Sequence, residues 1–67
     1  MKTLKEFEKL VQLAIREEKK AQDLYQNMAS KTNDPFVKAI LEGLHEEEVS
    51  HEEKLNNLLN SLKPTGA

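Results

Sequence analysis

Glu18, Glu48 and His51 interrupt two stripes that are otherwise apolar, and carboxylates and imidazoles are side chains that ligate metal ions. Leu4, Phe7, Val11, Ala14, Glu18, Ala21, Tyr25 and Met28 follow alternating steps of three and four residues. Val37, Leu41, Leu44, Glu48, His51, Leu55, Leu58 and Leu62 do the same in the second half. Such steps trace one face of a helix, the face that packs against other helices. A carboxylate on that face is costly to bury unless something neutralises it. Two carboxylates and an imidazole, brought together by the fold, can neutralise each other's cost by holding a cation. Oxygen-rich ligation with one imidazole suits iron or manganese and, less exclusively, zinc. The competing reading of the same residues is a polar layer that fixes helix register. In it a protonated His51 pairs with Glu18 and Glu48, and no metal is involved.

The elements that must position these residues are two long helices and one turn. Thr3 and Glu6 have the spacing of a capping box at the first helix start. From about 4 to 30 there is no Gly or Pro, and Ala, Leu, Lys, Glu and Gln dominate, residues that lose little entropy in a helix. Residues 31–34 break the pattern: Asn33 and Asp34 supply cap chemistry, and Pro35 suits a first helical position. A second helix then runs from about 35 to 62, with Pro64 and Gly66 closing it and 63–67 as a short tail. A turn this short makes the helices antiparallel. Glu18 and Glu48 are equidistant from Asn33, so they should lie at one level, with His51 one turn along the same face. Glu42 and His45 have the same Glu-x-x-His spacing but fall beside or behind the stripe, which makes His45 a boundary histidine.

Size and composition limit what such a hairpin can be. With 67 residues and no cysteine, the chain has neither disulfides nor thiolate ligands to compensate for a marginal core. That leaves metal through oxygen and nitrogen donors, self-association, or both. The ten basic and twelve acidic residues are interspersed, so there is no basic face for nucleic acid. No apolar run approaches a membrane span, and the N-terminus lacks a secretory signal's apolar core, so a cytoplasmic location is the default expectation. One hairpin offers three ligands and leaves its apolar stripes uncovered. Two would supply four carboxylates and two histidines, the donor inventory of di-iron four-helix bundles. The expected assembly is therefore a homodimer or higher homo-oligomer.

Tyr25 stands seven residues after Glu18 on the same stripe, about 10 Å along the axis. It reads either as a core aromatic or as a donor, or oxidisable neighbour, just outside the ligands. Phe7, Met28 and Phe36 read as core, and Leu10, Ile15, Leu24, Ile40 and Leu59 widen the stripe toward a bundle. Glu17 and Glu47 border the site, as a solvated face or an entry path for ions.

The run Glu18-Lys19-Lys20-Ala21-Gln22-Asp23-Leu24-Tyr25 is similar to the Glu-x-x-Ala-x-x-x-Tyr segment of rubrerythrins. Glu48-Val49-Ser50-His51 resembles their Glu-x-x-His. The resemblance covers nearly the whole chain but only half of a four-helix rubrerythrin, and a hairpin that completes its site by dimerising is similar to the encapsulated ferritins. It implies an all-α ferritin-like fold, a di-iron site with Glu18, Glu48 and His51 as ligands, and ferroxidase or peroxidase chemistry. The chain lacks the cysteine-rich domain of full rubrerythrins, so reductive turnover would need an external electron donor. Lys63-Pro64-Thr65-Gly66-Ala67 is too short for an obvious cargo-loading extension, although encapsulation in a protein compartment is compatible with the resemblance. A non-catalytic metal-binding protein and a purely structural helical oligomerisation module remain the alternatives.

Overall fold

The computed structural model describes residues 4–62, which form two helices packed against each other. Helix α1 is Leu4–Ser30 and helix α2 is Pro35–Leu62. Thr3 of the expected capping box and the expected tail at 63–67 lie outside the described residues. Neither helix is long and apolar enough to cross a membrane.

Asp34 starts α2. Its Oδ1 accepts the backbone N–H of Phe36 at 2.8 Å and that of Val37 at 3.3 Å, while its carbonyl accepts Lys38 N–H at 2.9 Å. This is an N-cap followed by Pro at the first helical position, where a missing N–H costs nothing. The Thr32 hydroxyl accepts the Asp34 N–H at 3.2 Å and braces the turn. At the end of α1, Lys31 N–H bonds the Met28 carbonyl at 3.0 Å, and Ser30 Oγ bonds that of Asn27.

The hairpin measures 50 × 22 × 16 Å, and its buried apolar residues are Val11, Ile15 and Leu41. Phe7, Met28 and Phe36, expected in a core, are instead exposed on the hairpin. The reason is rotational. Leu10, Leu24, Ile40 and Leu58 are exposed, and each immediately precedes an inward residue: Val11, Tyr25, Leu41 and Leu59. One position back is about 100° around a helix, so these residues form one flank on each helix. Antiparallel helices wind oppositely when viewed from one end, which places both flanks on the same side of the hairpin. The result is a side, apolar at Leu10, Leu24, Ile40 and Leu58 and interrupted by exposed Glu17, Glu47, His51 and Lys54, that the two helices share but cannot bury between themselves.

Candidate metal centre

Glu18 lies midway along α1, and Glu48 and His51 lie one turn apart midway along α2. The antiparallel packing brings all three together. His51 Nδ1 is 3.2 Å from Glu18 Oε2 and 3.0 Å from Glu48 Oε1. One ligand atom from each residue falls within 4.8 Å of the others. The Glu18 and Glu48 side chains are only 18% and 17% exposed, whereas His51 is 54% exposed. His51 immediately precedes the inward Glu52, so it belongs to the apolar flank and turns Nδ1 inward from there. The open side of the ligand group therefore faces the uncovered apolar side.

Partial burial pushes the Glu18 carboxyl above its ordinary range, and the hydrogen bond and negative charge of Glu48 push the same way; His51 opposes them. Two carboxylates this close resist being ionised together. A proton between them, or a cation, relieves that repulsion. Two carboxylates and an imidazole fit a divalent cation that prefers oxygen and nitrogen donors.

A further polar contact runs diagonally across the ligand level, from Gln22 on its turn side to Glu52 on its far side, and the alternating pattern of threes and fours passes it over. Gln22 Nε2 donates to Glu52 Oε1 at 2.6 Å and approaches the Glu48 carbonyl at 3.5 Å. Lys19 Nζ is 3.8 Å from Glu52 Oε2. The available signal was that Gln22 and Glu52 each follow a ligand by four residues and so share its face.

Tyr25 is half-buried and lines an open cleft with Gln26, Leu41, Glu42 and His45. Among the described residues, no hydrogen bond joins its hydroxyl to Glu18, Glu48 or His51. His45 stays outside the ligand group. Exposed Glu17 pairs with Lys20 at 3.1 Å, the behaviour of a solvated face. Glu47 is exposed.

A helix pair carrying one Glu on the first helix and Glu-x-x-His on the second has the donor pattern of di-iron carboxylate bundles. The Rubrerythrin family model matches residues 9–67, and the chain belongs to the rubrerythrin family, within the ferritin-like di-iron proteins. Comparison with curated proteins and with solved structures gave no match.

Proposed function

We propose that two copies of the chain pair through their apolar sides to form a four-helix bundle with a di-iron site at the interface. Each copy contributes Glu18, Glu48 and His51. Iron held there would supply redox chemistry with dioxygen or peroxide as the oxidant, the ferroxidase or peroxidase type of reaction. The chain's own residues fix the donors and exclude water around them. Any proton that Glu18 holds must leave as the cation enters. Tyr25 is assigned a role outside the ligands, as a donor or oxidisable neighbour. Peroxide reduction over many turnovers would draw on an external electron donor. Manganese or zinc could take the same donors.

The observation that carries this reading is the convergence of three ligand atoms within 4.8 Å in a chain of this family. The accessible surface supports the pairing. The hairpin leaves Leu10, Leu24, Ile40 and Leu58 exposed on one side. A typical stable interface covers about 800 Å² on each partner.

Anaerobic Fe(II) titration followed by air tests the proposal. Ferric absorbance should develop with oxygen in the wild type and be absent in Glu18→Ala. A variant that behaves as wild type removes the redox claim.

A second reading is favoured by the short contacts of His51 Nδ1 to both carboxylates. A protonated imidazole could bridge them as a register-setting layer, without catalysis. Under that reading Glu48→Leu combined with His51→Leu stabilises the oligomer, and chelator leaves its melting unchanged.

A further inference from the structure

We propose that Gln22 is a positioning residue for the Glu18–Glu48–His51 group, an inference that rests on the metal-binding reading above. Gln22 stands one turn nearer the interhelical turn than Glu18, and Glu52 one turn farther from it than Glu48, so their 2.6 Å hydrogen bond runs diagonally between the helices across the level of the ligand group. Beside the ligand group, Gln22 joins α1 to Glu52 and to the Glu48 carbonyl of α2, and Lys19 joins it to Glu52. Lys19 is the weaker anchor, since its side chain is 61% exposed and 3.8 Å away.

The apolar contacts of Val11, Ile15 and Leu41 hold the helices together, but hydrophobic attraction is non-directional and tolerates sliding. A slide by one residue is about 1.5 Å. Ligand constellations tolerate only about 0.5 Å. A short amide–carboxylate bond has a fixed length and direction, so it sets the axial offset of α2 against α1 where the ligands need it. The amide is also uncharged, so it holds Glu52 without competing with a cation for Glu18 or Glu48. Glu52 lies outside the three-residue ligand group, and Gln22 keeps its carboxylate engaged there.

Titration with Co(II), whose visible absorption reports ligand number and geometry, tests the role in wild type, Gln22→Leu, Glu52→Leu and Glu52→Gln. Melting of each protein in chelator reports the fold independently. Gln22→Leu and Glu52→Leu should bind Co(II) about tenfold more weakly, or worse, with altered absorption. Their metal-free melting should stay at or above wild type, because Leu suits a half-buried position. Glu52→Gln keeps an oxygen acceptor for the amide and should retain the wild-type spectrum. Unchanged affinity and spectrum in Gln22→Leu overturn the inference, as does a loss of affinity matched by a loss of metal-free melting temperature. If the wild type takes up no Co(II), the metal-binding reading fails first and this inference falls with it.

Discussion

A carboxyl held above its ordinary range by partial burial and by Glu48 binds its proton more tightly in the folded chain than in the unfolded one, and Glu18 is such a group. Its contribution to metal-free stability is fully present below the unfolded value of 4.5 and is lost as pH rises through the raised folded value. Cation binding runs the opposite way, because the ligand must be deprotonated. Calorimetry in chelator should therefore show wild-type melting fall as pH climbs above 4.5, with a flatter profile for Glu18→Gln. Parallel profiles would contradict the assignment. At this scale the meeting of Glu18 with Glu48 and His51 was legible, because equal distance from the turn fixes level. The Gln22–Glu52 bond was not. Steps of three and four permit either Ala21 or Gln22, and either His51 or Glu52, as the inward residue. The choice depends on how far each helix rotates about its axis, which only the packing decides.

Helix ends and helix interiors respond to substitution by different physics. Asp34 caps two amides of α2, so Asp34→Ala should cost about 1 kcal/mol in denaturant unfolding. Gly43 is exposed, and a Cβ there would meet nothing within 4 Å. Gly43→Ala should accordingly stabilise by about 1 kcal/mol, since no contact opposes the entropic gain. A destabilising Gly43→Ala would show that something covers that edge of α2 in solution. The two helices could be read from long stretches of strong helix formers on either side of Asn33, Asp34 and Pro35. What the spacing could not reveal was that Phe7, Met28 and Phe36 stay uncovered within a single hairpin. Periodicity gives the width of an apolar face, and this one is wider than a single neighbouring helix can cover.

Two helices leave a rod with few buried residues and one apolar side, and the half-covered ligand group opens onto that side. Pairing and metal binding should therefore be linked, because a cation that binds only the paired form stabilises it by mass action. A charge on the shared flank, as in Ile40→Glu or Leu58→Glu, should abolish both pairing and metal uptake. Val49 follows Glu48 and so lies on the other side of α2, and Val49→Glu should leave both intact; light scattering with metal analysis separates these outcomes. Loss of pairing without loss of metal affinity would mean that a single hairpin holds the cation alone. The most direct measurement is native mass spectrometry of the protein during anaerobic Fe(II) addition. The account predicts a dimer carrying a pair of iron ions, absent in His51→Ala. A monomer that takes up no iron, or a dimer whose mass ignores it, would contradict the central claim.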